Sequence, residues 1–377
     1  MKKIVIAADS FKGSASTIEV ENYIEQGIRN IDKQVEIVKI PIADGGEGTV
    51  DSLVLAFHGE YKYVDVIGPG GNEIRAKYGM LDAQTAIIEM AEASGLHLVS
   101  ELNPFKTTTY GTGQLIKAAL DQGAKTIYVG LGGSATNDGG VGMAQALGAS
   151  FRDKDGKEIG YGADGIKNLE TIDVSNLDRR LQNVEIIGLS DVTNPLCGKN
   201  GASHVYGPQK GATEEDVEVL DGILAHFGKL IKDQLGIDIV KRNGAGAAGG
   251  LGAGLMTFCN AKLEPGITKI LNLLNIESHI KNSDLIITGE GKIDSQSLNG
   301  KAPIGVAKLA KKYDKPVIAI VGSADYDLLE VYQHGIDLVI DTVIKPMPLT
   351  ESIKNVKSLL EIAGQSAYRA FCLNRNF

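Results

Sequence analysis

The stretch KIVIAADSFKGSASTIEVENYIEQGI, residues 3–28, decides the fold. Ile4–Ala8 is an unbroken apolar run of strand length that stops at Asp9. Beyond it, Ser16 and Glu19 stand at capping-box spacing, and Val20, Ile24 and Ile28 recur on one helical face. The pattern predicts a buried strand, a short loop and an amphipathic helix. EIVKIPIAD, residues 36–44, repeats the strand signal after that one helix. The far end of the chain continues the design: DLIITGEG, PVIAIVGS and DLVID read as strands, APIGVAKLAKKY as a helix, and Ser352–Cys372 as a final amphipathic helix. These strands are rich in isoleucine and valine and apolar on both faces, as in a parallel sheet covered on both sides. The chain ends therefore predict an α/β fold built on a doubly wound parallel sheet.

The middle reads differently. YKYVDVIGP, IRAKYGML and TAIIEMA are separated by short turns, which predicts antiparallel pairing, and TIYVGLGG and VEIIGLSD add two more strands. Thr213–Leu235 is a capped helix ended by Gly236, with Val217, Leu220, Leu224, Phe227 and Ile231 as its apolar stripe. Gly244–Cys259 is glycine-rich and shorter than a membrane span, and reads as a buried or site-lining helix. We expect residues 1–59 and 282–377 to form one domain and residues 60–281 an inserted mixed α/β domain. A length of 377 residues suits two cores better than one.

Composition narrows the function classes. The chain is 43% hydrophobic and 23% charged, ordinary for a globular protein, and its net charge of −9 disfavours nucleic acid as a partner. Three cysteines without CxxC spacing suggest neither a disulfide framework nor a zinc site, and fit a reducing cytoplasm. The six histidines show no ligand spacing. The short apolar run at the N-terminus reads as a strand, not as a signal peptide or membrane anchor.

The chemistry-bearing residues sit where strands give way to helices, the place where open parallel sheets bind ligands. Asp9-Ser10-Phe11-Lys12 follows the first strand, Asp44-Gly-Gly-Glu47 the second, and Gly289-Glu290-Gly291-Lys292 a later one. In the middle domain, Gly132-Gly133-Ser134-Ala135-Thr136-Asn137 and Asp191-Val-Thr-Asn194 hold the equivalent places. Glycine amides and hydroxyls of this kind can cradle a phosphate, although caps and tight turns use the same residue types. Asp44 with Glu47 reads equally well as a helix cap and first-turn acid or as a metal or substrate site. A Walker A loop, a GxGxxG fingerprint after the first strand and the protein-kinase motif set are all absent.

The blocks IVIAADSFKGS, PIADGGEGT, TYGTGQLI, GLGGSATNDGGVGMAQALGA, SDVTNPL, GPQKGA, GAAGGLGAG and TGEGKIDSQSLNGKAPIGVA, in this order, resemble the bacterial type I glycerate kinases over essentially the whole chain. The resemblance implies ATP-dependent, Mg²⁺-assisted phosphorylation of D-glycerate; of the two possible acceptors the 2-hydroxyl is expected over the 3-hydroxyl, a choice the sequence leaves open. It also implies a flavodoxin-like domain and a second domain like restriction endonucleases. Phosphoryl transfer needs positioning, charge neutralisation and a proton acceptor. On that chemistry, Gly132, Gly133, Ser134, Thr136 and Asn137 are expected at the ATP phosphates. Asp191 is expected to be the base or a metal ligand, with Asn194 beside it as a substrate contact. Lys12 and Ser10 would hold the glycerate carboxylate or the transferring phosphoryl group. Asp44, Glu47 and Glu290 would bind metal or orient hydroxyls. A kinase of another hydroxy acid or polyol, and a non-catalytic phosphate sensor, are the competing readings.

Overall fold

The computed structural model describes residues 2–298 and 301–373; Asn299 and Gly300 of the last quoted block lie outside them. Two compact units divide the chain. Unit 1 comprises Met1–Asp44, Asp51–Ala56 and Ile267–Phe377, and unit 2 comprises Gly45–Val50 and Phe57–Gly266. The second crossing thus falls at Ile267 and not at the expected 282. The reason is hydrophobic: Ile267, Leu271, Ile276 and Ile280, on the helices Gly266–Leu273 and Ile276–Lys281, are buried in a unit 1 core. The first crossing falls at Phe57, close to the expected 59, but the segment Gly45–Val50 is exchanged into unit 2 ahead of it.

In chain order the strands of the two main sheets and of a two-stranded sheet are β1 (Lys3–Ala8), β2 (Glu36–Lys39), β3 (Glu60–Ile67), β4 (Glu73–Met80) and β5 (Thr85–Glu89). They continue with β6 (Thr126–Gly130), β7 (Ser150–Asp153), β8 (Leu169–Asp173), β9 (Glu185–Leu189) and β10 (Lys262–Glu264). The last three are β11 (Leu285–Glu290), β12 (Val317–Val321) and β13 (Leu338–Asp341).

Unit 1 is a parallel sheet in the order β13-β12-β11-β1-β2. Alternation along β1 feeds both faces. Ile4, Ile6 and Ala8 pack with Val20, Ile24 and Ile28 of the helix Thr17–Arg29, whose capping box of Ser16 and Glu19 is formed. Val5 and Ala7 join the core on the opposite face. The final helix differs from expectation, being two helices, Leu349–Lys354 and Val356–Leu373, interrupted at Asn355.

Unit 2 holds a mixed sheet in the order β10-β9-β6-β5-β4-β3, with β3, β4 and β5 antiparallel as their short turns predict and the rest parallel. β7 and β8 form a separate antiparallel pair. The helix Glu214–Leu235 is capped by Thr213, closed by left-handed Gly236, and buries the predicted stripe.

Candidate active site

In unit 1 the parallel register pairs Ala8 with Gly289, so the chain leaves β1 at Asp9 beside Glu290 at the end of β11. Both carboxyls are buried. Asp9 accepts a hydrogen bond from the Ser10 amide at 2.6 Å. Burial, the Asp44 charge and then Glu290 nevertheless push its pKa up to about 8, against the opposing pull of Lys12. Glu290 is also held above the usual carboxylate range, chiefly by burial; its Oε2 accepts from Lys301 at 3.2 Å and its Oε1 has no hydrogen-bond partner. The Ser10 hydroxyl likewise is buried and unpaired. Lys12 is exposed. The structure thus brings Ser10, Lys12, Asp44 and Glu290 to the carboxyl ends of neighbouring strands, and it adds Asp9, the acid whose titration feels all four. The helix after Asp44 begins at Thr49, which removes the cap reading for Asp44. Glu47 goes with unit 2 and is exposed.

In unit 2 the glycine-rich loop after β6 is shaped by packing. A side chain at Gly132 would meet the Gly46 Cα at 2.6 Å, and one at Gly140, which has φ +78°, would meet the Gly254 Cα at 2.9 Å. Close backbone crossings therefore account for these glycines without a ligand. Thr136 and Asn137 are fully buried, the latter donating to the Ser203 hydroxyl at 3.0 Å. Both are expected from the sequence at the ATP phosphates, and in the structure they lie beneath the loop surface. Thr136 Oγ1 and Asn137 Oδ1 have no hydrogen-bond partner. The accessible edge is Gly132-Gly133, with the buried Ser134 next to it.

Beneath that edge lies Lys210 of the GPQKGA block, a residue for which the sequence alone indicates no role. Its ammonium donates to Ser134 Oγ at 2.9 Å and to the Thr136 carbonyl at 2.6 Å. Burial pulls its pKa down to about 7, with Asp138 opposing. Asp138 fixes the loop from the other side, accepting from the Thr109 amide and hydroxyl at 2.8 Å each and from the amides of Gly140 and Gly142. In the sequence Lys210 stands between Gln209 and Gly211, a setting indistinguishable from a surface turn.

Asp191 is half-buried, just beyond β9 and therefore on the strand next to the glycine-rich loop. Asn194 is committed to structure: its amide donates to the Asn200 carbonyl at 2.8 Å and accepts from the Tyr206 hydroxyl at 2.8 Å. These ties use one of the amide's two N–H donors and one lone pair of its oxygen, so a substrate contact by this side chain need not displace them. Glu89 is a further buried acid, and it accepts from the Val50 amide at 2.6 Å at the start of the helix Thr49–Phe57.

Residues 4–372 match the glycerate kinase family. The chain belongs to that family. A glycerate kinase from Halalkalibacterium halodurans is 49% identical, over 97% of both chains. Glycerate 2-kinase from Escherichia coli K12 is 50% identical, over 93% of both. A crystal structure from Salmonella typhimurium LT2 matches 100% of both chains with a TM-score of 0.87 at 47% identity. Membership of the glycerate kinase family makes the chain a kinase, and the phosphate donor implied is ATP. No helix among the described residues is long and apolar enough to cross a membrane.

Proposed function

We propose that this kinase transfers the γ-phosphoryl group of ATP to D-glycerate, at the 2-hydroxyl. The observation that carries the reading is the whole-length match to the glycerate kinase family, coupled to a lysine and carboxyls gathered at the strand ends of unit 1. The position of transfer is supported by the E. coli glycerate 2-kinase, half identical to this chain.

Mg²⁺ would neutralise phosphate charge. Among the described residues no group of three or more His, Cys, Asp or Glu is disposed to hold a metal. That fits the usual Mg²⁺ habit of taking one or two carboxylates and completing its shell with substrate phosphates and water. Glu290, with its unbonded Oε1, and Asp44 are the carboxylates we assign to it. Asp9, raised toward neutrality, is suited to accept or hold a proton near physiological pH. Lys12 and Ser10 bind an anionic substrate group. In unit 2, the Gly132–Ser134 edge receives a substrate anion, phosphate or carboxylate, and Asp191 is assigned as a proton acceptor.

The architecture we infer is flavodoxin-like for unit 1, supported by its strand order, which in order of occurrence within the unit reads 2-1-3-4-5. A restriction-endonuclease-like unit 2 rests on the resemblance alone. Three free cysteines support a cytoplasmic location. The test is ³¹P NMR of products from ATP, Mg²⁺ and D-glycerate. 2-Phosphoglycerate is expected; 3-phosphoglycerate would overturn the position of transfer, and turnover of another hydroxy acid in place of glycerate would overturn the substrate.

A further inference from the structure

We propose that the cavity at the carboxyl end of the unit 1 sheet is the nucleoside site of this kinase, and that it takes a purine base. It has a volume of about 330 Å³, within the range of roughly 300–1,000 Å³ typical of small-molecule pockets. Phe11, Gly291 and Gly322, from the loops after β1, β11 and β12, line it. These are the loops where an open parallel sheet binds ligands, and β1 and β11 flank the point at which strand order reverses.

The chemistry of the wall selects the ligand. Val343, Leu349 and Ile353 line the cavity and are among the exposed large hydrophobic residues of the chain, with 38%, 76% and 37% exposure. Apolar surface left in water at one concave place marks a binding site. Glycerate carries a carboxylate and two hydroxyls on three carbons and has no apolar face to cover such a wall. A purine is flat and apolar on both faces, with polar atoms only at its edge. Hydroxyls of Ser14, Ser323 and Thr342 border the same cavity and suit that edge.

Lys12 ties the cavity to the chemistry. It lines the cavity, and its charge acts on Asp9, which sits beside Glu290. A nucleotide with its base in the cavity therefore meets a cation next to the carboxyls assigned to Mg²⁺. The inference rests on the kinase reading, because only a nucleotide-using enzyme needs this site.

The experiment is photolabelling of the full-length enzyme with 2-azido-ATP, peptide mapping by mass spectrometry, and kinetics of Ile353→Trp. Label is expected within residues 10–14 or 342–359, suppressed by excess ATP and not by glycerate. Ile353→Trp is expected to raise the KM for ATP at least tenfold and to leave the KM for glycerate within twofold. ATP-suppressible label elsewhere, or an unchanged KM for ATP in the variant, overturns the nucleoside site. The label map decides even if the variant fails to fold. Absence of transfer from ATP to D-glycerate by the wild type would instead overturn the proposed function, while the label map would still report on the cavity.

Discussion

Lys210 and Asp9 carry opposite signs of the same physics, each buried in a place that disfavours its charge. For Lys210 the folded value of about 7 lies below the unfolded 10.5, so its stabilising contribution is present above pH 10.5 and is lost as pH falls through 7. Lys210→Met removes two hydrogen bonds, worth about 1–3 kcal/mol, together with that linkage. The melting temperature of the variant should fall short of wild type at pH 9.5, and the gap should narrow by pH 6.5; a constant gap would refute the titration. Asp9 runs the other way: raised from 3.8 to about 8, it stabilises below pH 3.8 and loses that contribution as pH rises to 8. Asp9→Asn should therefore match wild type near pH 4.5 and melt several degrees higher at pH 8, while phosphoryl transfer falls sharply. Stability gained with activity lost marks a residue kept for function. An Asp9→Asn enzyme of normal activity would confine Asp9 to a structural role. Ser134→Ala keeps the backbone but takes an acceptor from the buried Lys210 ammonium; it should lower the melting temperature by a few degrees, at a cost of about 1–3 kcal/mol, and raise the KM of the substrate whose anion meets the loop. If neither KM moves, the loop is a structural turn.

At the scale of elements, helices were legible wherever a cap and an apolar stripe coincide, as at Ser16 with Val20, Ile24 and Ile28. How closely they pack was not legible, because it depends on small residues whose partners lie far away in the chain. Gly27 and Gly364 show this: an added Cβ would stand 2.0 Å from the Glu361 carbonyl oxygen in the first case and 2.5 Å from that of Ile24 in the second. The helices Thr17–Arg29 and Val356–Leu373 therefore cross at backbone contact. Gly27→Ala should destabilise by about 1–3 kcal/mol or more, since the backbone must move apart. Gly222, in the helix Glu214–Leu235, has nothing within 4 Å of the added atom. Gly222→Ala should instead stabilise by about 0.5–1 kcal/mol. Thermal melts of the two variants give opposite shifts if helix crossing, and not glycine content, sets the cost; shifts of one sign would contradict that.

For the whole molecule, the chain ends announced the parallel sheet because both faces of its strands are apolar, and the turns between β3, β4 and β5 announced antiparallel pairing. The unit boundary was harder to read, since it is drawn by contacts and not by a linker. Gly45–Val50 belongs to unit 2 although the residues on either side belong to unit 1. The glycines of PIADGGEGT look like a phosphate loop, yet one thing they do is pass close to another backbone: Gly130 would place a Cβ 2.3 Å from the Gly45 carbonyl oxygen. The Val50 amide meanwhile donates to Glu89, which is only 3% exposed. A fragment of residues 57–266 would leave that carboxylate without this donor, at a cost of about 1–3 kcal/mol, and would uncover Gly130 and Gly132. At about 2–4 °C per kcal/mol for a unit of this size, the fragment 57–266 should melt about 5 °C below the fragment 45–266, with a broader transition. Glu89→Ala in the full chain should reproduce much of that loss, because it leaves the Val50 amide unpaired. Equal melting of the two fragments would mean that residues 45–50 merely connect, and that the glycines of this segment are free to serve a ligand.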